Sequence, residues 1–247
     1  MKVWVTRTAN RAHKTAAAVE ALGFEALIDP VLKVERLPTP PLPDVTDAIA
    51  FTSRSAVEIF AKTYTLRTAT TFCVGDATAD AARDQGFSTV LSAAGDGRAV
   101  FELICQHRPQ AVIVCAPETP AAPLTQWLTD AGISAHELPL YRTITITPHA
   151  ALNAIDDIDI ILLHSAKAAR FIGEMLRTKT GPDTAKRLTF IAISKACAEV
   201  LKTGLNPPSD SHSAIERENV SENSPKLLIS QFPDEASMLM LLSDIPR

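Results

Sequence analysis

The sequence predicts an α/β protein in which parallel strands are joined by crossover helices, and three observations carry that expectation. Short β-rich runs alternate with longer Ala-rich segments from the first residue onward, which is the order that strand-crossover-strand units impose. Several of the Ala-rich segments stop at a glycine (Gly23, Gly86, Gly132), the residue that accepts the positive φ of a helix C-terminus. The whole pattern then occurs a second time. VWVTR…LGFEALIDPVLKV…IAFTSRSAV…FCVGDATADAARDQG is matched by VIVCAP…DAGISAHELPLYRTI…IILLHSAKAA…FIAISKACAEVLKTG. Duplication of this kind points to two copies of one α/β unit with a cleft between them.

In chain order, Lys2 to Thr6 reads as a strand and Arg11 to Leu22 as a helix with apolar residues at helical spacing. Phe24 to Leu37 is a long extended run interrupted at Pro30. The stretch LPTPPLPD (Leu37 to Asp44) lacks backbone donors at its prolines and reads as a linker and boundary. Strands are then expected at Ala48 to Thr52, Thr71 to Val74, Thr89 to Leu91 and Ala111 to Cys115. Helices are expected at Ser55 to Ala61, Ala77 to Gln85, Arg98 to Gln106 and Pro123 to Ala131. Ser134 to Thr145 is a second long extended run. Beyond Pro148 the rhythm resumes with strands at Asp159 to Leu163 and Leu188 to Ile193, and helices at Ala168 to Leu176 and Cys197 to Thr203. Leu205 to Lys226 is rich in Ser, Asn, Pro and Glu and is expected to be a mobile loop. Apolar residues at helical spacing in Pro233 to Leu242 predict a last helix packed on the first domain.

Composition narrows the function. A formal charge of −4 gives no general attraction to nucleic acid or to an anionic membrane, so an anionic ligand must be held locally. The four cysteines, Cys73, Cys105, Cys115 and Cys197, are far apart, and three lie in strongly apolar or Ala-rich runs. Free buried thiols fit this spacing better than a disulfide framework or a zinc site. The apolar run in MKVWVTR is too short for a signal peptide or a membrane span, which predicts a soluble cytoplasmic protein.

Ligands of open parallel sheets bind beyond the carboxyl ends of the strands, where turns lead into helix starts. Here those turns read Thr52-Ser53-Arg54-Ser55, Gly75-Asp76-Ala77-Thr78, His164-Ser165-Ala166-Lys167 and Ser194-Lys195-Ala196-Cys197. Small and hydroxylated residues let a ligand approach the backbone, and unpaired N–H groups at helix starts favour carboxylates or phosphates. The same residues also serve as ordinary helix caps. No Walker A sequence, G-x-G-x-x-G, H-E-x-x-H or G-x-S-x-G occurs, which removes the simplest kinase, dehydrogenase, zinc protease and lipase readings. Of six scattered histidines, His164 alone stands at a strand end beside a candidate turn. The first strand lacks the adjacent acidic pair of a phosphoacceptor receiver domain.

Taken together, these motifs resemble the uroporphyrinogen-III synthase family. The residues that carry the resemblance are Val5-Thr6-Arg7, Gly23 with Pro30, Phe51-Thr52-Ser53 with Ala56-Val57, and Val74-Gly75 with Thr78-Ala79. Leu140-Tyr141 with Thr143, Ser165 and Ser194 complete the set. The likeness spans about residues 1 to 204 and resumes near Pro233, and it rests on order and spacing rather than on any one motif. It implies two flavodoxin-like parallel-sheet domains with a cleft between them, exchanging the chain along a two-stranded connecting ladder. Carried onto this sequence, the ladder strands are Val31 to Leu37 and Leu140 to Ile146. One domain then holds residues 1–36 and 144–247, and the other holds 38–142.

The resemblance further implies a carbon-oxygen lyase that cyclises hydroxymethylbilane to uroporphyrinogen III, with loss of water and inversion of ring D. It implies no cofactor and no metal. The expected partner is the linear tetrapyrrole alone, with neither nucleic acid nor membrane, in a monomer; transient contact with the preceding enzyme of the pathway is compatible with this. Tyr141 is the expected catalytic residue, donating a hydrogen bond to the departing hydroxyl from the domain junction. Thr52, Ser53, Gly75, Thr78, Ser165 and Ser194 are expected to bind substrate carboxylates through backbone N–H groups, with Arg7 and Lys195 as charged contributors. Cys197 stands where the family often has Thr, and Ala116-Pro117 replaces a more usual Arg/Gly pattern. These departures leave room for a drifted, low-activity paralogue. Two readings from other classes also fit the turns: a non-catalytic two-domain binding protein for an anionic small molecule, and an enzyme of phosphorylated sugars.

Overall fold

The computed structural model describes residues 1–180, 183–206 and 225–246. The chain divides into two compact units, Met1–Lys33 with Ile144–Arg247, and Val34–Thr143. The first unit begins with β1 (Lys2–Val5), α1 (Ala9–Ala21) and β2 (Glu25–Ile28), and the chain then leaves it along β3 (Leu32–Arg36). In the second unit come β4 (Ala48–Phe51), α2 (Arg54–Thr63), β5 (Thr70–Cys73), α3 (Asp76–Asp84) and β6 (Val90–Ser92). They are followed by α4 (Gly97–His107), β7 (Ala111–Pro117) and α5 (Leu124–Asp130), and β8 (Ser134–Thr145) carries the chain back. The first unit is completed by α6 (His149–Asn153), β9 (Ile160–Leu163), α7 (Ala166–Lys179), α8 (Thr184–Arg187) and β10 (Thr189–Ala192). After these stand α9 (Lys195–Leu205), β11 (Lys226–Ile229) and α10 (Glu235–Ser243).

The first unit has a five-stranded sheet in the order β11-β10-β9-β1-β2, with neighbouring strands parallel throughout. Counted along the chain within that unit, this is the 2-1-3-4-5 order of a flavodoxin-like sheet. The second sheet has six strands rather than five, in the order β3-β8-β7-β4-β5-β6. Its additional member is the edge strand β3. Leu37 N donates to Leu140 O (3.0 Å) and Ile146 N donates to Val31 O (3.0 Å), so β3 runs antiparallel to β8.

Central strands of a parallel sheet covered on both faces read as apolar runs, and β4 (AIAF) and β9 (IILL) are buried at every position. Trp4 enters one core with Leu163, Ile172 and Leu201, while its neighbours Val3 and Val5 enter another with Ala12, Val19, Met238 and Leu242. In the second unit Ile49 and Phe51 pack with Ala56, Phe60 and Ala82, and Ala48 and Ala50 pack with Val100, Ile104 and Leu128. The helix packing of the tail is as expected, since Met238 and Leu242 of α10 are fully buried in the core of the first unit.

Gly23, Gly86 and Gly132 have φ near +80° and follow the ends of α1, α3 and α5, as the glycine stops predict. Helices α2, α3, α7 and α9 start one or two residues before the first apolar residue that signalled them, because the turn of the helix opens on its cap and not on its buried face. Strand β11 and the short helices α6 and α8 were not foreseen. Of the expected loop, Leu205 closes α9 and Lys226 opens β11, while residues 207–224 lie outside the described residues. Residues 37–44 form no helix or strand, in keeping with their prolines. All four cysteines are free; Cys73, Cys115 and Cys197 are buried and Cys105 is half-buried.

Candidate functional site

The candidate residues fall into two sets, one in each unit. In the second unit they lie at the carboxyl ends of β4 and β5. Ser53 is the cap of α2: its Oγ accepts from Ala56 N at 3.1 Å while the backbone stays extended. Tyr141 comes from β8, buried to 7 % exposure, and its hydroxyl lies 2.9 Å from Ser53 Oγ. Gly75 caps α3 with no side-chain acceptor, and a Cβ there would meet no atom within 4 Å. Its missing side chain answers to no contact inside the protein.

Two members of this set differ from expectation. Thr52 already donates its N–H to Cys115 O, prolonging the sheet by one residue, and its hydroxyl lies 3.3 Å from the same oxygen. Thr78 is buried, and its N–H donates to Gly75 O at 3.0 Å. Neither can offer a backbone donor to a ligand. The donors left at these turns are the first N–H groups of α2 and α3, which have no intrahelical acceptor.

In the first unit Ser165 and Ser194 repeat the Ser53 arrangement at the ends of β9 and β10. Ser165 Oγ accepts from Ala168 N at 3.2 Å and Ser194 Oγ from Cys197 N at 3.3 Å. Cys197 points inward, its Sγ 3.6 Å from Leu163 O, and burial pushes its thiol up to about 11, so it stays neutral. A neutral S–H is a weak donor, and here it faces that carbonyl. Lys195 is exposed at the first position of α9.

Arg7 is held within its own unit. Its Nη1 lies 2.8 Å from Glu235 Oε2 of α10 and 3.2 Å from Thr15 Oγ1, and Thr15 in turn donates to Glu235 Oε1. Burial alone would push the Glu235 carboxyl up, but the Thr15 hydroxyl and the Arg7 guanidinium together hold it below the usual carboxylate range. A lowered folded value means that the pair stabilises above the ordinary glutamate range and is lost as pH falls through the lowered value. Glu235→Gln is expected to lower stability by about 1–2 kcal/mol at neutral pH, read from urea denaturation. An unchanged midpoint would show that α10 is held by apolar contacts alone.

His164, next to this pair, has neither ring nitrogen in a hydrogen bond. The adjacent Leu162 carbonyl already accepts from Thr6 Oγ1 at 2.6 Å. Burial, then the charge of Arg7, pushes the His164 imidazole down to about 3. It is neutral at physiological pH. Among the described residues no group of His, Cys, Asp and Glu could hold a metal ion, and no helix is long and apolar enough to cross a membrane.

Sequence reasoning missed three features. Arg54 opens α2 and Lys167 is second in α7, so with Lys195 each Ser-capped start carries a basic residue and no acid in its first turn. The composition of the helix starts could have shown this. Glu235 as the partner of Arg7 and Ser53 as the partner of Tyr141 left no local signal, being separated by most of the chain and by 88 residues respectively.

A family model described as uroporphyrinogen-III synthase HemD matches residues 13–209. Among solved structures the chain is similar to a uroporphyrinogen-III synthetase from Helicobacter pylori, at 17% identity over 98% of this chain and 97% of that one, with a TM-score of 0.63. It is also similar to a mutant uroporphyrinogen III synthase from the extremely thermophilic bacterium Thermus thermophilus, at 16% identity over 98% of this chain and 96% of that one, with a TM-score of 0.50. At these identities the likeness is one of fold. Comparison with curated protein sequences gives no match.

Proposed function

Because the chain belongs to the uroporphyrinogen-III synthase family, a lyase-type family of tetrapyrrole synthesis, we propose that it cyclises hydroxymethylbilane to uroporphyrinogen III with loss of water and inversion of ring D. The observation that carries this reading is the make-up of α2, α7 and α9. Each starts on a serine whose Oγ accepts a backbone N–H, each lacks an acid in its first turn, and each has Arg54, Lys167 or Lys195 in its first two positions. A helix start ordinarily favours acidic side chains, so basic ones there suit a ligand that brings its own negative charge. A tetrapyrrole with carboxylates on every ring is such a ligand.

The chemistry asks little of the protein in acid or base strength. The pyrrole nitrogen pushes out the terminal hydroxyl to give an electrophilic azafulvene; the substituted carbon of the last ring attacks its exocyclic carbon, and the spiro product fragments and recloses inverted. Selecting this course a hundredfold over direct closure needs only about 2.7 kcal/mol of differential transition-state stabilisation. Carboxylates seated on helix starts supply orientation, and the Tyr141 hydroxyl donates to the departing oxygen.

Incubation of the pure protein with freshly generated hydroxymethylbilane, followed by separation of the porphyrin isomers, tests the reading. The type III isomer is expected. Only the type I isomer, at the rate of a protein-free control, would leave a binding protein for anionic molecules as the better account. Tyr141→Phe is expected to lower kcat about tenfold to hundredfold with KM little changed. Unchanged turnover would reduce Tyr141 to a packing residue.

A further inference from the structure

We infer that Ser53 is the positioning residue for Tyr141: its hydroxyl donates to the Tyr141 oxygen and so leaves the phenol's own hydrogen free for the leaving hydroxyl. The inference rests on the role given to Tyr141 above. Either oxygen can donate in this pair, and a count of hydrogens separates the two cases. Ser53 Oγ accepts from Ala56 N at 3.1 Å and lies 2.9 Å from Tyr141 Oη. A serine hydroxyl has one hydrogen, and a phenol has one. Were Tyr141 to give its hydrogen to Ser53, it could only accept from a substrate. With Ser53 as donor, the chain runs from Ala56 N–H to Ser53, from Ser53 to Tyr141, and from Tyr141 outward. The positive end of α2 lies at the head of this chain and polarises the serine O–H toward the phenol.

The backbone of β8 is arranged to bring Tyr141 to this position. Ala116 pairs with Pro139 but Pro117 pairs with Tyr141, so Leu140 is an extra residue, a β-bulge. Adjacent strand residues normally point to opposite faces, yet Leu140 and Tyr141 are both buried, at 0 % and 7 %, and both join the core that contains Phe51, Ala56 and Val57. A bulge re-aims a side chain in this way. It is pinned on both sides, since Leu140 O accepts from Leu37 N (3.0 Å) and Tyr141 O from Glu118 N (2.7 Å). Ser165 and Ser194 are caps of the same kind, but among the described residues neither hydroxyl is paired with a tyrosine. Capping alone therefore does not account for the Ser53 arrangement.

Ser53→Gly removes the hydroxyl but keeps a residue tolerated at a helix cap, at a stability cost of only a few tenths of a kcal/mol. It is expected to lower kcat for type III formation about tenfold, with KM within about twofold, and to add less than about twofold to the loss caused by Tyr141→Phe. Ser53→Thr, which keeps both cap and donor, is expected to recover most of the loss. Losses that multiply in the double variant, or a Ser53→Gly enzyme with undiminished kcat, overturn the inference while the function stands. A wild-type protein that makes only the type I isomer overturns the function, and the inference with it. A second measurement is independent of turnover. The chain has two tyrosines, and Tyr64 donates to Pro40 O at 2.6 Å. In 3-fluorotyrosine-labelled protein, Ser53→Gly should move the fluorine resonance of Tyr141, assigned with Tyr141→Phe, and leave that of Tyr64 in place. A Tyr141 resonance that does not move overturns the hydrogen-bond relay.

Discussion

Gly173→Val should destabilise the first unit by about 3 kcal/mol or more, lowering Tm by roughly 10 °C. A Cβ at Gly173 would sit 2.8 Å from Leu201 O and 3.0 Å from the backbone of Gly204. One at Gly204 would sit 2.8 Å from Arg170 O and 3.1 Å from Glu174 N. Helices α7 and α9 therefore touch backbone to backbone, and no side-chain rotation can relieve the clash. Alanine is favoured over glycine in a helix interior by about 1 kcal/mol, so a glycine retained at each of these positions marks the contact as the stronger demand. Gly173→Ala should cost less than Gly173→Val, in a graded series read from urea denaturation. Because α7 and α9 begin at Ser165 and Ser194, pushing them apart displaces both starts, and KM should rise before the protein unfolds. A valine variant of wild-type stability would mean that the helices slide apart at no cost.

Acidification from pH 6.5 toward 3 should remove stability on the order of a few kcal/mol through His164 alone. Its imidazole is held near 3 against an ordinary 6.5, first by burial and then by Arg7, with Glu235 and the nearby Leu162 carbonyl opposing and Arg11 acting in the same direction as Arg7. The sign follows from proton counts. Below 6.5 the unfolded chain takes up a proton that the folded chain refuses until about 3, so each step down in pH favours unfolding. Glu235, also held low, adds to the loss at the acid end. His164→Phe deletes two nitrogens that make no hydrogen bond, so it should be at least as stable as the wild type at pH 7 and lose stability more slowly on acidification. Denaturation midpoints across this range decide the matter. Parallel curves for the two proteins would assign the acid sensitivity to other groups.

The alternation of β4, α2, β5 and α3 was legible because β4 is a four-residue apolar block, β5 is rich in β-formers, and α3 ends beside Gly86. The family resemblance, read from motif order, agrees with the family match. Strand β11 was not legible, since KLLI carries no alternation and follows a long polar run. The extra residue at Leu140 was hidden too, because a bulge is defined by its partner strand and Ala116 lies more than 20 positions earlier. At the site, Ser53, Ser165 and Ser194 were readable as helix starts from local pattern alone. The occupation of Thr52 and Thr78 by internal acceptors, and of Arg7 by Glu235, depends on long-range placement that a linear pattern does not encode.

The first unit is assembled from the two ends of the chain, with β1 lying between β2 and β9 in its sheet. A ribosome emits β1 about 150 residues before β9 exists, so the opening segment must wait, unpaired along one edge, until most of synthesis is over. The contiguous unit has no such delay and should mature first as the nascent chain emerges. Premature termination after Thr143 would thus release one finished body trailing an orphaned, sticky strand, a species prone to aggregate.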